Sequence, residues 1–248
     1  MSKDRIWHPA TISALKRFRR QDSGRHGRCS CRVERHAGFT RRSAVAEENS
    51  VRGLARVAGR VQVVGQERGE GRAMTIARVA EAEIGEDLRQ QMQGLLQTCF
   101  AEYPSRSYFK LPPHFRYLAM TEGALAAQMG VELRVIRVGG TVVRTFGVVD
   151  LCVRKGDRSG GLAGRLLAEV TGFARSCGMD FVILFADDDR LYRRNGWVRA
   201  GNPCSWVKIH DHSTLGLAIA EDTNALMVKV TGGRAWPEGE VDLLGHLF

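Results

Sequence analysis

Residues Val153 to Leu166 read VRKGDRSGGLAGRL, and this stretch decides the fold. An extended, largely apolar run, TVVRTFGVVDLCV (residues 141–153), leads into it. LAGRLLAEVTGFARSCG leaves it with helical period, with Leu162, Leu166, Val170 and Phe173 on one stripe and Gly178 as a stop. The glycine-rich segment is therefore the turn between a strand and a helix. Small residues at such a turn let successive backbone N–H groups converge, and the helix N-terminus adds partial positive charge, which makes a diphosphate cradle. Arg158 adds a charge-assisted contact to the same anion. The competing reading is a glycine-rich surface turn with no ligand. The segment is neither a P-loop, since no Gly-Lys-Ser/Thr follows, nor the GxGxxG dinucleotide fingerprint, since the glycine spacing fails.

Outward from this turn the elements alternate. DFVILFA (180–186) is short and continuously apolar, as a strand covered on both faces should be. DDDRLYRRNGW (187–197) reads as a short helix with an acidic opening and Gly196 at its end. Upstream, Ile84, Leu88, Met92, Leu95, Leu96, Cys99 and Phe100 share one side at helical spacing. Pro112 and Pro113 then predict a short helical turn from His114. In VELRVIRVGG, Val131, Leu133 and Val135 alternate ahead of Gly139-Gly140, a strong hairpin signal. Strand, loop, helix, strand, helix, strand is the order of an α/β sheet containing a βαβ unit.

Residues 1–73 carry 17 Lys+Arg against 7 Asp+Glu and residues 74–248 carry 20 against 20, so the formal charge of +10 lies wholly in the first segment. That segment keeps no apolar period for long, whereas a tidy amphipathic pattern begins at Met74, a candidate physiological start. The division predicts a basic extension over 1–73, disordered or not native, and one globular domain over 74–248. A nucleic-acid arm fits less well for want of interleaved aromatics or a recognisable module. A targeting peptide fits less well because no apolar core is present and seven acids are. No apolar run approaches the roughly 18–20 residues of a membrane span, which predicts no membrane partner. The six cysteines show no CxxC pair, so structural zinc is not expected and free thiols in the cytoplasm are. His210 and His212 read as a polar loop rather than a metal site.

Leu191, Tyr192, Gly196 and Trp197 complete a second motif behind the buried strand. With it the sequence resembles the GNAT superfamily of acyl-CoA N-acetyltransferases. The phosphate loop of that family, Gln/Arg-x-x-Gly-x-Gly/Ala, matches Arg158, Ser159, Gly160, Gly161, Leu162 and Ala163; its preceding strand residue matches Val153; its Leu-Tyr-x-x-x-Gly-Phe/Trp motif matches the second set. The tail WPxGxVDxxGxxF is similar to the end of the nodulation acyltransferases. DRLYRRNGW followed by Cys204-Ser205-Trp206 is similar to aminoglycoside N-acetyltransferases, another branch. The resemblance implies a single mixed, mostly antiparallel sheet with a central splayed parallel pair flanked by helices. It also implies acetyl-CoA as co-substrate, with the pantetheine arm between the splayed strands and bonded to backbone groups of Leu151, Cys152 and Val153. Neither branch match fixes the acceptor: a small-molecule amine is the leading expectation, a longer acyl chain or a protein acceptor on the same fold is the alternative, and no metal is expected. A homodimer stays open. Two positions depart from the family pattern: Lys155 stands where proline is frequent, and Phe185 where asparagine is.

A thioester donor needs an acid near the sulfur as the thiolate leaves, and Tyr192 is placed for that role. Its alternative is aromatic packing under the helix. Asp150 is the acidic residue of the strand facing the cofactor. Strict alternation would turn it from the site and a bulge would re-aim it, so general base and interior structural carboxylate both stand. In the family a base in this strand tends to lie earlier, at Gly147 or Val149 here. A nucleophilic Cys152 is disfavoured, since direct amine attack needs no covalent relay. Asp189, Glu102, Tyr103, Tyr108, His114 and Asp242 are candidates for the acceptor side.

Overall fold

The computed structural model describes residues 61–69, 72–220 and 225–248. Eleven strands among them form one sheet: β1 (Val61–Gly69), β2 (Arg72–Ala80), β3 (Phe115–Thr121), β4 (Ala124–Val138), β5 (Thr141–Val153), β6 (Phe181–Phe185), β7 (Val198–Arg199), β8 (Cys204–His210), β9 (Ser213–Ala220), β10 (Leu226–Val230) and β11 (Val241–His246). Three α-helices accompany them: α1 (Glu86–Cys99), α2 (Leu162–Ser176) and α3 (Arg190–Arg194). The main path runs β1-β2-β3-β4-β5-β6-β10-β7, and β11 branches from β4 to join β8, which in turn pairs β9. Only β5–β6 and β11–β8 are parallel. The mixed, mostly antiparallel sheet expected from the sequence is therefore present.

The two larger helices cover opposite faces because each buries one apolar stripe. Leu162, Leu166, Leu167 and Val170 of α2 pack with Met129, Val131, Phe146 and Val182, while Leu88, Met92, Leu95 and Leu96 of α1 pack with Leu118, Leu125 and Cys152. At roughly 1.5–3 kcal/mol per fully buried large apolar side chain, these stripes clamp the middle of the sheet between them.

Three readings change. The residues after Pro113 are the strand β3, not a helical turn, and every residue from Arg116 to Thr121 is buried between β2 and β4. Leu133 and Val135 are 46% and 48% exposed, whereas Ile136 and Val138 are buried. The helix that covers this face, α2, meets Val131 and stops short of them, so alternation alone misplaced the inner face. The sheet also begins ahead of Met74, since β1 pairs antiparallel with β2. The rest of the expected extension, residues 1–60, lies outside the described residues. No helix of the described residues is long and apolar enough to cross a membrane.

The fork of the sheet positions the site. β5 and β6 pair only at Thr145–Phe181, Phe146–Val182 and Gly147–Ile183. Past Gly147 β6 bonds β10 alone, and β5 continues to Val153 along β4.

Candidate active site

A cavity of about 330 Å³ opens at this fork. One wall is β5 from Val148 to Val153; the facing wall is Leu184, Phe185 and Ala186, followed by Leu191 and Tyr192 of α3. Every β5 residue assigned from the sequence to pantetheine contact, Leu151, Cys152 and Val153, therefore lies at the cavity, and so do Arg158 and Ala163 of the turn.

The turn adopts the backbone that an anion cradle needs. Ser159 (φ 71°) and Gly161 (φ 74°) are both left-handed, a geometry that brings consecutive N–H groups to one side. Gly161 is the N-cap of α2 and no side chain caps that end, which leaves the first N–H groups of a 15-residue helix without a capping side chain. Ser159, Gly160 and Gly161 are exposed, while Leu162 is buried and anchors the helix to the core. The Arg158 Nε donates to Val153 O at 3.1 Å, and its Nη2 lies 3.9 Å from Cys99 Sγ.

Tyr192 packs edge-on against Trp197 with ring centroids 6.0 Å apart, so the packing role holds. It also lines the cavity. Burial, with the Asp188 carboxylate adding to it, pushes the phenol up to about 12, which keeps it a proton donor at neutral pH. Asp188 itself accepts from the backbone N and guanidinium of Arg190 and stays ionised.

Asp150 sits in a bulge. Gln128 faces Cys152 and Gly130 faces Val149, so Asp150 and Leu151 together oppose Met129. Asp150 has φ 53°, and the Gln128 amide donates to its carbonyl at 2.6 Å, fixing the distortion. The carboxylate is thereby turned toward Tyr103, whose hydroxyl donates to its Oδ2 at 2.7 Å. Burial pushes the Asp150 carboxyl up, while Tyr103, Arg116 and Lys110 pull the other way. A raised carboxyl that faces a cavity and keeps a hydrogen-bonded neighbour is suited to accept a proton.

Beyond Asp150 the cavity is lined by groups that sequence reasoning missed: Lys110, Glu132, His246 and Phe248. Arg134 Nε donates to Glu132 at 2.9 Å and His246 Nε2 lies 3.0 Å from it; against the pull of burial, these two hold its carboxyl low. Burial drives the Lys110 ammonium down to about 8, and its Nζ donates to Leu247 O at 2.7 Å. The Phe248 ring lies against Gly147, where an added Cβ would come within 2.0 Å of it, and it stacks near Phe185 at 6.4 Å. An acidic side chain at Gly147 would displace this ring. The carboxylate that this strand does bring to the cavity, Asp150, sits in the bulge three residues on.

Beneath this half runs a buried ion network. Fully buried Arg116 donates to Glu81 at 2.6 Å, to Gln128 at 2.7 Å and to Ser107 O at 2.7 Å. It ties the loop carrying Tyr103 to the bulge. Of the six acceptor-side candidates only Tyr103 reaches the cavity. Asp189 pairs with Arg193 and Arg199, Asp242 with Arg137, Tyr108 with His212, and His114 accepts from Leu133 N. Glu102 lies outside the cavity lining, as does His210. Among the described residues no group of three or more His, Cys, Asp or Glu is arranged to hold a metal ion.

Among solved structures the chain is similar to a GNAT family N-acetyltransferase from Escherichia coli in complex with CoA, at 16% identity over 75% of this chain and 90% of that one, with a TM-score of 0.47. It is similar to a GNAT family acetyltransferase from Brucella melitensis in complex with acetyl-CoA, at 18% identity over 51% and 64%, with a TM-score of 0.35. It is similar too to the ribosomal-protein-S18-alanine N-acetyltransferase from Escherichia coli, at 13% identity over 64% and 96%, with a TM-score of 0.41. No curated protein matches. Residues 82–200 match the family model described as an acetyltransferase (GNAT) domain, a span that holds the fork, the turn from Arg158 to Ala163 and Tyr192. With those elements inside it, the span 82–200 matches the GNAT acetyltransferases, which supports an acyltransferase.

Proposed function

We propose that the protein transfers the acetyl group of acetyl-CoA to the amino group of a small molecule by direct attack in a ternary complex. The reading is carried by one observation: a single cavity has Asp150 on one wall and Tyr192 on the other and ends at the phosphate turn. The diphosphate lies on the N–H groups of Gly160, Gly161 and the start of α2, with Arg158 beside it. The pantetheine amides pair with the β5 backbone past Gly147, where that edge has no strand partner. The neutral amine adds to the thioester carbonyl and loses a proton to Asp150. The tetrahedral intermediate collapses, the C–S bond breaks, and Tyr192 protonates the departing thiolate.

The size of the cavity supports a small acceptor. At about 330 Å³ it stands at the lower end of ligand pockets, and it must hold the acyl-pantetheine tip as well. Its acceptor side joins Phe100, Tyr103 and Phe109, with ring centroids 5.7 and 5.6 Å apart, to the carboxyl of Asp150.

A thermal-shift panel of acyl-CoAs followed by an amine screen with thiol detection tests the reading, since a ligand that binds only the folded state raises the midpoint. Acetyl-CoA is expected to stabilise most and to release CoA thiol with at least one small amine. Stabilisation by long-chain acyl-CoA alone, or no stabilisation by any CoA ester, overturns it. Tyr192→Phe should lower turnover by roughly 10–1,000-fold with little change in acetyl-CoA affinity. Turnover within about threefold of wild type would leave Tyr192 only its packing role against Trp197.

A further inference from the structure

Two cysteines meet beside the donor cleft, and the acetyl transfer uses neither thiol. Cys99 is the last residue of α1, and Cys152 is a buried residue of β5 that lines the cavity. Cys99 packs against the cluster that holds Cys152, its Sγ lies 3.5 Å from O of Val153, the residue after Cys152, and Arg158 Nη2 lies 3.9 Å from the same sulfur. Cys99 is half-buried and Cys152 fully so, which makes Cys99 the member that solvent reaches.

We propose that Cys99 and Cys152 form a peroxide-oxidisable dithiol whose reactive member, Cys99, is held ready by the Arg158 guanidinium and is protected when a donor diphosphate takes that guanidinium. The electrostatics agree with the geometry. The neighbouring Cys152 thiol, with Arg158 adding to it against the effect of burial, brings the Cys99 thiol down to about 6, whereas Cys152 is pushed up and keeps its proton. This is the division of labour that a dithiol needs, with a half-buried thiolate that solvent reaches to be oxidised and a protonated neighbour to resolve it.

The chemistry balances with a hydroperoxide as oxidant. The Cys99 thiolate attacks the peroxide O–O bond and becomes a sulfenic acid, releasing hydroxide, which takes a proton from solvent. The Cys152 sulfur then attacks the sulfenic sulfur; its proton and the hydroxyl leave as water, and the S–S bond closes. The two thiols lose two electrons, and the peroxide gains them. The protective part rests on the diphosphate role proposed for Arg158. A diphosphate at that guanidinium brings negative charge beside the Cys99 sulfur and draws on the same cation, so the two anions compete, and each weakens the hold on the other.

The test uses the full chain and hydrogen peroxide, with peptide mapping by mass spectrometry. The expected product joins the peptides of Cys99 and Cys152 and is reversed by dithiothreitol. Cys152→Ser should instead leave a Cys99 sulfenic acid that dimedone traps, and the rate of Cys99 alkylation against pH should have its half-point near 6 rather than at the roughly 8.5 of a free thiol. Half-buried Cys177 is an internal reference that should oxidise more slowly. A half-point near 8.5, or a wild-type protein in which Cys99 reaches sulfinic acid without linking to Cys152, overturns the dithiol. The second arm adds 3′-phospho-ADP, a probe with a diphosphate and no thiol, with its binding followed by calorimetry. Saturation should slow Cys99 alkylation and raise its half-point. Binding without protection overturns the competition for Arg158. An absence of binding overturns it as well and counts against the donor site, while the peptide map of the ligand-free protein still decides the dithiol.

Discussion

The two halves of the cavity, one proposed for the donor and one for the acceptor, are built on different plans. The donor half is local: the end of β5, the turn and the start of α2 follow one another along the chain, with α3 close behind. The acceptor half is assembled from Tyr103, Lys110, Glu132, Asp150, His246 and Phe248, which come from one loop, three strands and the end of the chain. A local device is specified by a few residues in a row, because its work is done by backbone N–H groups. A composite one needs a scaffold to hold remote side chains together, and the buried contacts of Arg116 with Glu81, Gln128 and Ser107 are that scaffold. The two halves should therefore fail separately.

The largest effect should come from the one carboxylate at their junction. Asp150→Asn removes the proton acceptor and keeps the size, so kcat should fall by about 10²–10⁴-fold while acetyl-CoA affinity holds. A kcat within about threefold of wild type in steady-state assays would make Asp150 a structural group of the bulge and leave the acceptor half without its base. Next comes the scaffold. Arg116→Ala leaves the buried Glu81 carboxylate without its closest partner, a loss of about 3–5 kcal/mol of stability by denaturant unfolding. In protein that remains folded, the KM for the amine should rise and CoA affinity should stay. If calorimetry shows CoA affinity falling in step, the halves are one unit and the comparison breaks. Arg158→Ala is the converse case. It should lose one charge-assisted contact worth about 1.5–3 kcal/mol, or roughly 10–150-fold in CoA affinity, while binding of a pantetheine fragment that lacks the diphosphate is unchanged.

The same contrast explains what could be read before the structure. Arg158, Gly161 and Ala163 stand at fixed spacing between a strand pattern and a helix pattern, and the left-handed Gly161 is what that spacing calls for. Tyr192 was legible because it follows a buried strand and precedes Gly196 at a short distance. Nothing in the sequence around Lys110 or Glu132 marks either as facing a cavity, since their placement depends on β4 lying beside β11 and on where the chain end returns. His246 and Phe248 were visible as part of a C-terminal pattern, but the void that the Phe248 ring enters exists because Gly147, a hundred positions earlier, has no side chain. The bulge at Asp150 is intermediate. Its existence was one of two open readings, and only the register of β4 against β5 decides it.

The smallest effect expected is also the finest probe of the junction. Tyr103 donates its hydroxyl hydrogen bond to the Asp150 carboxylate, which favours the charged form, while burial disfavours it more strongly and leaves the carboxyl raised. Tyr103→Phe keeps the ring contacts with Phe100 and Phe109 and removes only that bond. With burial then less opposed, the Asp150 carboxyl must rise further. A base has to be ionised to accept a proton, so the activity that Asp150 supports is present above its pKa and lost as pH falls through it. The acid limb of kcat/KM should therefore move to higher pH, by about one unit if the bond is worth the usual 1.4 kcal/mol or so. Above that limb the variant should regain most of its turnover, because the base itself is intact. An acid limb that stays in place would mean that the titration limiting the rate belongs to another group, and a limb that moves to lower pH would mean that Tyr103 opposes the ionised carboxylate, which its geometry forbids.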